Sequence, residues 1–185
     1  MIPWDVTNDH ALQWHTTFIG RRMQHNYWLY FIIDDILQNN DVKSIVEIGT
    51  GSGALTTVLG LWGLYKNIKV LSLDLMDYLT GYKNVLNQLN VELLVTDEFS
   101  DITKNKILEF VDNKSTYLYC DGGNKRQEFN TFVPSLPQDS IISIHDWTNE
   151  CKLEHILETA GKYCEPYKEE RWLEMNVQLA TFRIK

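Results

Sequence analysis

Short apolar runs alternate along this chain with stretches of helical spacing. Leu29, Ile32, Ile33, Ile36 and Leu37 recur at i, i+3, i+4, i+7 and i+8, the stripe of an amphipathic helix. SIVEI (44–48) follows, short, β-branched and apolar, and reads as a buried strand. Leu55, Val58, Leu59 and Trp62 form the next helical stripe. KVLSL (69–73) is a second strand, followed by the stripe Tyr82, Val85, Leu86 and Leu89. VELLV (91–95) precedes a helix around Ile107, Phe110 and Val111. TYLYC (116–120) precedes Phe129, Phe132, Val133 and Leu136. SIISI (140–144) precedes Leu153, Ile156, Leu157 and Ala160. The tail, 170–184, has no long helical stripe and predicts two strands paired as a hairpin.

Strand–helix alternation repeated in this way predicts an α/β fold, a Rossmann-like doubly wound sheet with helices on both faces. In such sheets ligands bind beyond the carboxyl ends of the strands. The positions to inspect are therefore 49–53, Asp74, 96–98, 121–125 and 145–147.

Bulk composition narrows the partners. The 185 residues are 44% hydrophobic, which fits one domain over 1–185. Within it, 1–43 forms an N-terminal helical segment that packs on or covers the site. The formal net charge of −8 repels nucleic-acid backbones and anionic membranes, so neither is expected as a partner. Three cysteines, an odd count with no C-x-x-C, fit a reducing, cytoplasmic setting better than a disulfide framework. No signal peptide is expected, since Asp5, Asp9 and His10 interrupt the N-terminus. The most apolar run, YWLYFII, stops at Asp34 and Asp35, far short of the ~20 residues a bilayer requires.

The chemistry starts at EIGTGSG (47–53). Gly49 and Gly51 can adopt positive φ or let a ligand approach the backbone. A helix starting near Gly53 points its first N–H groups at the same place. A P-loop would need a Lys after the last glycine, and none is present. Gly49, Gly51 and Ala54 match the dinucleotide pattern G-x-G-x-x-G/A in name. Glu47 counts against that reading, because a carboxylate there would repel a pyrophosphate. It suits a cation instead, such as the sulfonium and amino groups of S-adenosylmethionine. As alternatives, Glu47 is a buried structural acid, Asp74 a helix cap, and Asp97 a cap or solvated charge.

VEIGTGSGA resembles the E-x-G-x-G-x-G first motif of class I S-adenosylmethionine-dependent methyltransferases. LSLD, VTDEF and YLYCDGGNK follow in the family's order, and the resemblance spans about 20–147. It implies about seven strands, mostly parallel with an antiparallel last strand, in the order 3-2-1-4-5-7-6. It also implies that Glu47, Gly49, Thr50, Gly51, Ser52 and Gly53 hold the donor, with Asp74 on the ribose hydroxyls and Asp97 at the adenine.

CDGGNK and IHDW place Asp121, His145 and Asp146 at neighbouring strand ends. Two carboxylates and a histidine can hold a divalent metal through oxygen and nitrogen. This arrangement resembles the metal-dependent small-molecule O-methyltransferases and the related cephalosporin hydroxylase family, as does the entry segment FIGRRMQ (18–24). There, an acid after the fourth strand and an acidic pair after the fifth ligate magnesium. Asp121 and Asp146 match, and His145 stands where the family has an acid. In catechol-type enzymes a lysine three residues past the first acid is the base. Lys125 lies four past Asp121, and His145 is a rival base. In a purely structural reading GGNK is a turn with Lys125 solvated, His145 orients a loop, and Asp146 caps a helix. His10, His15, His25 and His155 share no ligand spacing and read as structural or surface. Trp4, Trp14, Tyr27 and Trp28 are expected to pack on the sheet, with a lid over the acceptor as the alternative.

The function expected from these residues is methyl transfer from S-adenosylmethionine to an oxygen of a small molecule. Asp121, His145, Asp146 and Lys125 would handle the acceptor, with or without a cation such as magnesium on Asp121 and Asp146. The rivals are a non-catalytic protein that binds S-adenosylmethionine or S-adenosylhomocysteine, and a nicotinamide oxidoreductase. No large insertion caps the site, so the pocket is either open or completed by a second copy of the chain as a homo-oligomer.

Overall fold

A computed structural model describes residues 17–22, 24–168 and 177–185. The entry segment forms a small hairpin, β1 (Thr17–Phe18) and β2 (Arg21–Arg22). It leads into helix α1 (Tyr27–Asn39), capped by the Asn26 side chain, which accepts from the Trp28 N–H. Then come β3 (Ser44–Ile48), α2 (Ala54–Lys66), β4 (Lys69–Asp74), α3 (Lys83–Gln88) and β5 (Val91–Val95). After these follow α4 (Asp101–Val111), β6 (Thr116–Cys120), α5 (Lys125–Phe132) and β7 (Ile141–His145). The chain closes with α6 (Leu153–Tyr163), β8 (Cys164–Pro166) and β9 (Leu179–Ile184).

Seven strands form one sheet in the order β5-β4-β3-β6-β7-β9-β8. β3 to β7 are mutually parallel, and β9 runs antiparallel to both β7 and β8. Counted within the sheet, this is the expected 3-2-1-4-5-7-6. β3 and β6 are buried at every position, as central parallel strands covered on both faces must be. One core lies between the sheet and α4, α5 and α6, around Phe129, Phe132 and Phe182. The other lies under α1, α2 and α3, around Leu29, Ile33, Leu59 and Leu86.

Two expectations need correction. The apolar stripe 129–136 is not one helix. Pro134 lacks an N–H, so α5 stops at Phe132 and a single 3-10 turn (Val133–Ser135) follows. The tail hairpin is also misplaced. The first strand of the pair is Cys164–Pro166, directly after α6, and only Leu179–Ile184 comes from the tail. Residues 169–176 lie outside the described part, as do Trp4 and Trp14. Among the described residues, no helix is long and apolar enough to cross a membrane.

Candidate functional site

The carboxyl ends of the parallel strands open into a cavity of about 1010 Å³, a size that accommodates a cofactor-sized ligand. The glycine loop forms one wall. Gly49 turns the chain out of β3 with φ 97°, and a Cβ there would stand 2.3 Å from the Asp121 carbonyl oxygen. Only glycine meets both demands. The loop's amides are then consumed in order. Gly49 and Thr50 N–H donate to the Leu73 carbonyl, and Gly51 N–H donates to Asp74 Oδ2 at 2.8 Å. Ser52 N–H donates to Gln24 Oε1 at 3.0 Å, and Gly53 N–H to the Thr50 carbonyl. A phosphate-binding loop keeps such groups for its ligand. This loop has spent all five on the protein.

The entry hairpin holds the loop from outside. The Arg21 guanidinium donates to the Ser52 and Tyr78 carbonyls and lies 4.9 Å over the Tyr82 ring. Asp74 uses its two oxygens on the Gly51 and Met76 N–H groups. A carboxylate has about four acceptor directions, so capacity remains toward the cavity that Asp74 lines. Asp97 accepts from the Phe99 N–H and lines the same space.

Glu47 sits one layer below. It is fully buried and is not among the cavity-lining residues. Its Oε2 accepts from the Thr56 and Ser72 hydroxyls, while Oε1 has no partner. Burial pushes its carboxyl up to about 8, and the two hydroxyls offset this only in part. The sequence reading set Glu47 against a cationic ligand. In the structure it ties the underside of the loop to α2 and β4.

Across the cavity, Asp121 leaves β6 and meets two imidazoles. His25 Nε2 is 2.7 Å from Asp121 Oδ2, and His145 Nδ1 is 3.1 Å from Asp121 Oδ1. The two rings stand edge to face with centroids 4.6 Å apart. Asp146 adopts φ 51°, a left-handed turn that Asp tolerates. Its Oδ2 lies 3.4 Å from His145 Nδ1 and 3.3 Å from Lys125 Nζ. Lys125, only 5% exposed, donates to Glu150 at 2.7 Å and lies 3.4 Å from Asp121.

Burial would lower the His145 pKa, but the Asp121 and Asp146 carboxylates outweigh it and hold the ring at about 9. For His25 burial wins over the Asp121 hydrogen bond, and its pKa falls below the usual value. Burial also works against the Lys125 ammonium, yet Asp121, Glu150 and Asp146 keep it protonated above the ordinary lysine range. Asp121 is held below the usual carboxylate range, its burial overcome by the two imidazoles.

No protein-family model matches the chain, and no curated protein does. Solved structures match it in shape. Two CmcI structures superpose with TM-scores of 0.67 and 0.66 at 15% and 13% identity. The matches cover 91% and 92% of this chain and 76% of each CmcI chain; the second CmcI structure is described as Mg-SAM. A Podospora anserina methyltransferase, PaMTH1, bound to S-adenosylhomocysteine, matches with a TM-score of 0.56 at 13% identity. That match covers 98% of this chain and 86% of PaMTH1. A candidate caffeoyl-CoA O-methyltransferase from Staphylococcus aureus gives 0.56 at 14% identity, over 85% of this chain and 82% of that one. The fold is that of the class I methyltransferases.

On this methyltransferase fold, Gly49, Thr50, Gly51, Ser52, Asp74 and Asp97 share a cavity with Asp121, Lys125, His145 and Asp146. Gly53 does not line it; with φ 84° it caps the start of α2. Lys125 is neither the solvated turn residue nor the free base of the two sequence readings, but a locked ammonium. Three contributors escaped sequence reasoning. His25, read as structural or surface, bonds Asp121 from 96 positions away. Glu150 likewise comes from outside the recognised motifs, and Gln24 closes FIGRRMQ without having been assigned a role. The only signal for His25 and Gln24 was their place in or beside FIGRRMQ, the entry segment that resembled the O-methyltransferases.

The magnesium that the resemblance implies can be tested against these donors. Magnesium demands near-octahedral oxygen ligands and keeps several waters. Here Asp121 faces two imidazoles, and the Lys125 ammonium lies within 3.4 Å of both Asp121 and Asp146. These residues do not fit magnesium.

Proposed function

We propose that this chain transfers a methyl group from S-adenosylmethionine to an oxygen of a small molecule. One observation carries the reading: a glycine loop with no amide left for a phosphate shares its cavity with a cluster of proton-handling side chains. S-adenosylmethionine, when bound, supplies an electrophilic methyl group on a sulfonium centre. Gly49, Thr50, Gly51 and Ser52 form the wall along which it lies. Asp74 has acceptor capacity for ribose hydroxyls, and Asp97 stands on the adenine side. The acidic lining of Asp74, Asp97 and Glu98 favours a cation over a pyrophosphate.

At the acceptor end, Asp146 is the more exposed carboxylate and receives the acceptor hydroxyl. His145 beside it takes the proton in its neutral form, which for a ring held at about 9 is the minority form near neutrality, so transfer should quicken as pH rises toward 9, and Lys125 keeps the carboxylates in place. Much of the rate would come from aligning the two reactants for in-line displacement. A net charge of −8 suits a small-molecule acceptor rather than nucleic acid. Three free, buried cysteines suit a cytoplasmic setting.

A second reading has its own support. His145 already holds a proton near neutrality and Lys125 is locked in ion pairs, as a binding protein without turnover would allow. Calorimetric titration with S-adenosylhomocysteine, with NAD as comparison, tests the donor. Stoichiometric binding of the first and none of the second is expected; NAD binding alone would overturn the proposal. Transfer of labelled methyl to a panel of hydroxylated small molecules then separates enzyme from binding protein.

A further inference from the structure

The cluster that rejects magnesium is suited to another ion. We propose that His25, Asp121 and His145 form a site for one transition-metal dication of the zinc class. Their ligand atoms all lie within 4.8 Å of one another. Donors bound to one zinc at about 2.0–2.1 Å are at most ~4 Å apart, so small side-chain shifts gather all three. Imidazole nitrogen selects zinc, copper, iron or nickel over magnesium, and one carboxylate completes the set without making it a hard oxygen site.

The three ligands come from rigid and separate places. Asp121 and His145 stand at the ends of adjacent parallel strands, β6 and β7. His25 is fixed by the helix cap at Asn26 and by edge contacts to Tyr30 and Tyr119, and only 7% of it is exposed. All three residues also line the cavity, so the remaining coordination positions face it, as at metal sites with three protein ligands and an open fourth.

Charge points the same way. Asp121, Asp146 and Glu150 surround the single ammonium of Lys125. These three carboxylates outnumber the one ammonium, and a dication held by His145 in place of its proton adds positive charge where that surplus lies. This site differs from the all-acid magnesium arrangement of the resembled family both in its donors and in drawing His25 from just past the entry segment.

The test uses tag-free full-length protein stripped with chelator. Zinc alone and magnesium alone are titrated by calorimetry, and zinc-loaded wild type is examined by X-ray absorption. One zinc per chain is expected, retained in a hundredfold excess of magnesium, with an absorption spectrum fitted by two imidazoles. His25→Ala should weaken zinc binding at least tenfold while keeping the wild-type circular dichroism. Equal affinity in a folded His25→Ala protein, or magnesium competing at parity, would overturn the site. So would no zinc binding, or a spectrum with fewer than two imidazoles. Should His25→Ala not fold, the wild-type spectrum decides alone. The proposal does not rest on methyl transfer: S-adenosylhomocysteine binding and zinc binding are separate titrations, and either can fail without the other.

Discussion

Lys125 shows how far a single residue's role depends on neighbours that the chain order hides. From its position in CDGGNK it reads as a base displaced by one residue, or as a solvated turn lysine. The structure puts it in the first turn of α5, against Asp121, Asp146 and Glu150. Removing the ammonium while keeping the side chain's bulk leaves the half-buried Asp121 and Asp146 with only the imidazoles as counter-charges. Lys125→Met is therefore expected to cost about 2–4 kcal/mol, less than for a fully buried pair because Glu150 is more than half exposed. Urea unfolding at neutral pH measures it; a midpoint equal to wild type would show that the ion pairs contribute nothing. Asp121, His145 and Asp146 were legible in the sequence because strand ends converge by rule. His25 was not, since no local spacing links it to Asp121.

At the scale of elements, the quoted strands SIVEI, VELLV and TYLYC coincide with β3, β5 and β6. Buried parallel strands carry their own signal in continuous β-branched or apolar runs. β8 carried none: Cys164 follows α6 without a breaker, and the three-residue strand is defined only by its pairing with β9. The β1–β2 hairpin was equally silent, yet it bears on the site through Arg21. Arg21→Ala removes the hydrogen bond to Ser52 that pins the glycine loop, together with the Tyr78 hydrogen bond and the Tyr82 cation–π contact that fix the guanidinium. Hydrogen exchange at residues 51–53 should quicken, and S-adenosylhomocysteine should bind about tenfold more weakly, about 1.4 kcal/mol. Global stability should change by no more than about 1 kcal/mol, because the contacts lie at the rim. Unchanged exchange in the loop would show that Arg21 is not its clamp.

For the whole molecule, the sheet order followed from the motif resemblance, because the glycine loop, the acids and the alternation belong to one topology. The protonation balance could not be read in that way, since it depends on burial. Glu47 is the clearest case: a carboxyl fully enclosed beneath the loop, with Asp121 and Asp74 adding smaller repulsions to the effect of burial. Its pKa rises from 4.5 in the unfolded chain to about 8 in the folded one. The folded state therefore holds a proton that the unfolded state gives up. The stability this proton represents is complete below pH 4.5, is lost as pH rises toward 8, and is absent above it. Glu47→Gln cannot ionise, and its amide oxygen can still accept from Thr56 and Ser72. Glu128, also pushed up to about 8 by burial, remains in both proteins and cancels in the comparison. In chelator-treated samples, the variant should match wild type near pH 5. It should exceed wild type progressively through neutrality, by at most about 1.4 kcal/mol per pH unit, reaching about 2–4 kcal/mol at pH 8. Denaturation curves at unit pH intervals measure the difference. Parallel curves from pH 5 to 8 would mean that Glu47 is already ionised in the fold and that its burial does not hold a proton on it.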